Sequence, residues 1–177
     1  MYIILIILVL LIPIPLYAVF KSFYRKEKNR HGNAAVQRAF KDVIRRQKLT
    51  ISEVNKFVNR LIAIDRNTGR LVIVVHRDGV TWQKCIGFEE IVGCEITSTT
   101  DPVSGYIQNV TMELSLHNHQ KNIRFAFFDD KVEDVRDLGR RVKQAGYWQK
   151  KIQYYQTPDL SYRTSSFLII SSVMGLL

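Results

Sequence analysis

The chain has 177 residues, 46% hydrophobic and 24% charged, which leaves room for one domain with accessory segments and excludes a wholly disordered chain. Its formal net charge is +10, yet eight of those charges fall between Lys21 and Lys48, where ten Lys/Arg accompany two acids, Glu27 and Asp42. From Leu49 onward sixteen basic residues nearly balance fourteen acids, which argues against a nucleic-acid-binding surface on the folded body.

Met1–Phe20 carries no charge and would measure about 30 Å as a helix, matching the hydrocarbon thickness of a bilayer. Lys21, Arg25, Lys26, Lys28 and Arg30 follow at once. No basic region precedes the apolar run, as a secretory signal requires, and loops this basic stay on the cytoplasmic side. The expectation is a single-pass anchor in the inner (cytoplasmic) membrane, N-terminus outside and domain in the cytoplasm. Pro13 and Pro15 would kink such a helix, and ahead of Ala18 they make LYA a candidate cleavage site. The rival reading is therefore an exported protein whose basic arm binds an envelope polyanion.

After HGN (His31–Asn33), read as punctuation, comes AAVQRAFKDVIRRQKL. Val36, Phe40, Val43 and Ile44 form one apolar stripe at helical spacing, and Arg38, Lys41, Arg45 and Lys48 share another face. Such an amphipathic helix either packs on the domain or docks on the membrane surface. The nine cations Lys21, Arg25, Lys26, Lys28, Arg30, Arg38, Lys41, Arg45 and Lys48 are the candidate contacts to anionic lipid headgroups.

From Leu49 the pattern changes to strands. LIAIDR and RLVIVV flank Asn67-Thr68-Gly69 as a hairpin, and Asp78-Gly79 turns into VTWQ. IGFEEIVGCEIT reads as strand, turn and strand, with Val92, Cys94 and Ile96 on one face, and Thr99–Gly105 reads as a loop. NVTMELSLH alternates, with Val110, Met112, Leu114 and Leu116 inward, and IRFAFF returns with Ile123, Phe125 and Phe127 inward. Short turns without intervening helices predict an antiparallel sheet. Cys85 and Cys94 match no metal motif and read as reduced core residues.

Over FDDKVEDVRDLGRRVKQAGYWQKKIQYY (Phe128–Tyr155) the pattern switches to helical. Asp130 and Glu133 suggest a capping box, and Val135, Leu138, Val142, Ala145, Ile152 and Tyr155 a buried stripe with Trp148 beside it. Gly139 and Gly146 suggest close approach to a sheet. The uncharged run in 157–177 is too short to cross a bilayer alone. The divisions are thus an anchor (1–20), a basic juxtamembrane segment with a helix (21–48), a β domain with a C-terminal helix (49–156) and an apolar tail (157–177).

Six to seven antiparallel strands followed by one helix resemble a bacterial pleckstrin-homology-like domain over about Lys48 to Gln156. The resemblance rests on LIAIDRNTGRLVIV, IGFEEIVGCEI, IRFAFFDD and the Trp148-bearing helix. It implies an α+β, mostly β fold, a barrel or sandwich closed by the helix and used to bind protein or peptide partners. It does not extend to phosphoinositide recognition, because the Asn67-Thr68-Gly69 turn is too short to cup a headgroup.

Catalytic signatures are absent from the sequence. Adjacent acids such as Glu89-Glu90 point apart on a strand, and no nucleophile elbow or phosphate loop occurs. His117 and His119 would share one side of a strand and make the weaker alternative, a metal-dependent enzyme, but a third ligand is missing from the pattern. The expectation is a non-enzymatic binding or scaffolding module with no catalytic or metal residues and no cofactor. Its partners are the membrane, through anionic lipid, and a protein, with no nucleic acid.

Overall fold

Continuous apolar runs need cover on both faces of a strand, whereas alternating runs need it on one. Both kinds occur here, in separate sheets. The computed structural model describes residues 31–117 and 122–156. The proposed anchor Met1–Phe20, the cations Lys21, Arg25, Lys26, Lys28 and Arg30, the turn with His119, and the tail from 157 lie outside the described residues. Among the described residues no helix is long and apolar enough to cross a membrane.

Helix α1 (31–47) precedes strands β1 (Glu53–Lys56), β2 (Arg60–Asp65), β3 (Arg70–Arg77) and β4 (Val80–Gly87), which make one antiparallel sheet in that order. Strands β5 (Ile91–Thr100), β6 (Ile107–Leu116) and β7 (Ile123–Asp129) make a second, and helix α2 (Leu138–Gln156) follows. The fold is therefore α+β and antiparallel as expected, but its strands form two sheets of four and three instead of one closed barrel. The ladder is interrupted where β4 ends at Gly87: a 3-10 turn, Phe88–Glu90, follows, and Glu90 Oε1 accepts the Gly87 N–H at 2.9 Å. The chain divides into two compact units at this point, between Ile86 and Gly87.

In the first unit, β2 and β3 pair with Leu61 opposite Val74, Ile62 opposite Ile73, Ala63 opposite Val72 and Ile64 opposite Leu71. All eight side chains are fully buried, which explains the continuous runs LIAI and LVIV. Leu61, Ala63, Val72 and Val74 form one cluster with Val36, Phe40 and Val43 of α1 and with Leu49. The apolar stripe of α1 is thus core. The helix also runs through HGN, which is not a break: a Cβ on Gly32 would lie 3.3 Å from His76 Cδ2, so the small residue permits close approach to β3. At the other end Lys48 takes a left-handed φ of 52°, and the Leu49 N–H donates to Ile44 O at 3.0 Å. This closure buries Leu49 and ends the helix where the periodicity stops.

Asp65 ties the β2–β3 turn to the segment after α1. It is fully buried; Oδ2 accepts the Thr50 N–H at 2.8 Å, and Oδ1 accepts those of Asn67 at 2.9 Å and Thr68 at 3.2 Å. Burial pushes its pKa up, but these donors outweigh it and hold the carboxyl below its ordinary 3.8. A depressed native pKa contributes stability that is present above 3.8 and lost as pH falls through the native value. Asp65→Asn is expected to cost about 1–3 kcal/mol in urea unfolding at neutral pH, the range for a buried group losing partners. That deficit shrinks in acid, where the wild-type carboxyl is protonated too; a pH-independent deficit contradicts the assignment.

In the second unit the alternation of β6 is as predicted, with Val110, Met112, Leu114 and Leu116 buried. Ile123, Phe125 and Phe127 are buried on β7, and an irregularity opposite Val110 and Thr111 brings in Phe128 as well. A similar shift between Ile91 and Gly93 leaves Val92 58% exposed while Cys94 is buried, so Val92 does not share the face expected for it with Cys94. Thr99 and Thr100 extend β5 instead of opening the loop. Cys94 is buried in the sheet, and burial pushes its thiol up to about 12; both cysteines are free.

Helix α2 lies on β5, β6 and β7 and buries Arg141, Ala145, Trp148 and Ile152. Val135 and Val142 are exposed instead of belonging to the stripe. Val135 sits in a separate 3-10 turn capped by Asp134, so it is out of phase with the helix. The predicted Asp130–Glu133 capping box is likewise replaced, since Glu133 Oε2 accepts the Asp129 N–H and pairs with Arg141. Gly139 and Gly146 have open space where a Cβ would be, so neither serves close approach.

Candidate functional site

The packing of α1 determines what its other face can do. With Val36, Phe40 and Val43 in the core, residues displaced by half a turn must point outward, and Arg38, Lys41 and Arg45 are all exposed. Lys48 is exposed at the left-handed end of the helix. These four of the nine expected contacts therefore share the solvent side of one rigid element. Asp42 is the acid among them; it meets Arg45 at 3.5 Å, with the arginine side chain 83% exposed, and so leaves the cation in water. Arg38 Nε donates back to Ala34 O at 3.4 Å.

Two cations join this surface that periodicity did not assign. Arg46 is exposed on the flank of the helix. Arg70, from the far side of the β2–β3 turn, donates to Gln47 Oε1 at 3.1 Å and so stands at the C-terminal end of α1. Spacing along the helix missed Arg46, and only the tertiary contact places Arg70.

The neighbouring turn is not a phosphate cradle. The N–H groups of Asn67 and Thr68 are consumed by Asp65, a carboxylate at the centre of the turn. Arg66, beside it, pairs with Glu53 at 3.6 Å.

The histidine candidate resolves as backbone structure as far as it is described. His117 is exposed just after β6, and its backbone N–H donates to Glu90 O at 2.8 Å. Among the described residues no group of three or more His, Cys, Asp or Glu is drawn together as a metal site. Glu90 serves as the cap of Gly87, and Asp129 accepts the Lys131 N–H at 3.0 Å. The site that the geometry offers among the described residues is a cationic face.

No family model, curated protein or solved structure matches the chain. An exposed row of arginines and lysines on a helix whose apolar side is already buried can attract a polyanionic surface without inserting into it.

Proposed function

We propose that this chain is a membrane-anchored, non-enzymatic binding or scaffolding module with pleckstrin-homology-like architecture at the cytoplasmic face of the membrane. The observation that carries the reading is the division of labour in α1: its apolar stripe belongs to the core, while Arg38, Lys41, Arg45 and Lys48 face solvent. That face continues in sequence from Lys21, Arg25, Lys26, Lys28 and Arg30, directly after the uncharged Met1–Phe20. The order of seven antiparallel strands and one C-terminal helix supports the pleckstrin-homology-like part. In this mechanism Met1–Phe20 anchors the chain, and the basic segment and α1 hold the first unit against anionic headgroups. The contact is purely electrostatic, so it weakens with salt and does not require loosely packed lipid.

The test uses the full-length chain in nanodiscs of phosphatidylcholine alone or with phosphatidylserine, with lysine acetylation read by mass spectrometry. Lys41 and Lys48 are expected to be protected about five-fold by the anionic lipid, the equivalent of about 1 kcal/mol per cation near the surface. High salt is expected to abolish that protection. Equal labelling in the two lipids would falsify the electrostatic contact. Intact mass from native membranes addresses export: a chain that starts at Val19 instead of Met1 sinks the anchor.

A further inference from the structure

The near-neutral body conceals a separation of charge within the second unit. From Gly87 to Asp137 there are ten acids and four basic residues, whereas α2 contains five basic residues and no acid. Only one of those five is buried. Arg141 is buried against Glu133 at 2.8 Å, while Arg140, Lys143 and Lys150 are exposed and Lys151 is half-buried.

The helix alone does not account for this arrangement. Arg140 and Lys143 lie in its first two turns, where the positive end of the helix dipole disfavours cations. Its last turn, where cations are favoured, has none. Arg140 and Lys143 are one turn apart and repel each other, and no acid follows to offset them. Arg140 meets Asp137 at 2.8 Å, but that pair is exposed and Lys143 has no such partner among the described residues.

These residues line an open groove of about 440 Å³ formed with Gln144 and Tyr147. Tyr147 is held edge-on to the buried Trp148, with ring centroids 6.4 Å apart, and the Lys151 ammonium lies 4.6 Å from its ring centroid. The groove thus combines cations, an amide and a tyrosine whose conformation is already restricted, which lowers the entropic cost of using it as an anchor. A flat bilayer needs long cations but no concavity. A shallow strip that sets an amide and a phenol between the charges offers hydrogen-bonding groups that an extended polypeptide can use.

We infer that the groove on α2 formed by Arg140, Lys143, Gln144 and Tyr147 docks an acidic peptide segment of a protein partner. The inference extends the binding-module reading by naming a partner chemistry, and it uses a different helix from the lipid contact. Carboxylates of the segment meet Arg140 and Lys143; its backbone carbonyls meet the Gln144 Nε2–H, since Gln144 Oε1 already accepts from Arg141 Nη1 at 3.0 Å, and its chain lies against the Tyr147 ring, whose hydroxyl accepts from Lys151.

The test is fluorescence anisotropy with the full-length chain in phosphatidylcholine nanodiscs and a fluorescein-labelled Glu–Gly repeat peptide, with a Gln–Gly repeat as the uncharged control. The acidic peptide binds and the neutral one does not. Lys143→Glu and Tyr147→Ala each weaken binding about ten-fold, and Lys143→Gln by a smaller factor with the fold kept. Lys131→Glu makes the same charge change elsewhere in the unit and alters binding less than about two-fold. An equal loss in Lys131→Glu, or no binding of the acidic peptide, overturns the proposal. So does full displacement of the peptide by an oligonucleotide or phosphatidylserine vesicles at matched charge. Acetylation of Lys41 is read in parallel samples with anionic lipid, so failure of the peptide site and failure of the lipid contact are separately visible.

Discussion

Arg141→Met is expected to destabilise the second unit by about 3–5 kcal/mol, because it leaves a buried carboxylate without its cation. Glu133 is 1% exposed at the side chain and Arg141 8%, so water cannot replace the missing partner. Asp129 N–H still donates to Glu133 Oε2 at 3.3 Å, but a long hydrogen bond from a neutral group does not replace a charge. The double variant Glu133→Leu with Arg141→Met should recover most of the loss, since two apolar residues of similar volume can substitute for a buried pair. Urea unfolding followed by the fluorescence of the buried Trp148 reads both. A single variant no less stable than the double would mean that the pair is solvated and of little weight.

The second large effect is expected at Phe40. Its side chain joins Val36, Val43 and Leu49 to β2 and β3, so Phe40→Ala opens a cavity under α1 and costs about 3–5 kcal/mol. The consequence reaches beyond stability. If the helix loosens from its sheet, the stripe Val36–Val43–Ile44 becomes available to lipid, and the contact ceases to be purely electrostatic. In nanodiscs the variant should therefore show protection of Lys41 that persists in high salt, whereas the wild-type protection disappears. Salt-sensitive protection in both would show that the helix stays docked without Phe40. Amide exchange across 31–47 provides the independent measure of docking, and is expected to accelerate in the variant alone.

Strand periodicity carried most of the fold. The clean alternation of β6 and the return of β7 were legible because a sheet with one covered face repeats every two residues, and burial follows that repeat through Leu116. The runs in β2 and β3 were legible as strands for a different reason, since they are short, apolar and joined by a turn whose Gly69 takes a φ of 63°. Errors arose where register shifts. Val92 lies beside the irregularity after Ile91, and one inserted residue reverses the face of its neighbour. At α2, a 3-10 turn ahead of the helix and the pull of Glu133 on Arg141 rotated the buried stripe away from Val142.

The candidate site was legible in part for the same reason. Arg38, Lys41 and Arg45 were assigned to one face from spacing alone, because helical geometry places them there whatever the helix packs on. What the apolar face packs on could not be read, since a stripe suited to a sheet is also suited to lipid. The contact of Arg70 with Gln47 joins residues twenty-three positions apart, and no local period encodes it.

The sequence by itself determined the uncharged Met1–Phe20, the cluster of cations after it, the antiparallel strand order and the cationic face of α1. These are properties of composition and short-range period, and they need no knowledge of what touches what. The tertiary structure decided that the strands divide into two sheets at Gly87, that α1 spends its apolar stripe on β2 and β3, and that Arg141 is buried while the other cations of α2 are not. Each of those outcomes depends on which surface removes which side chain from water, and that competition is resolved only when distant segments pack.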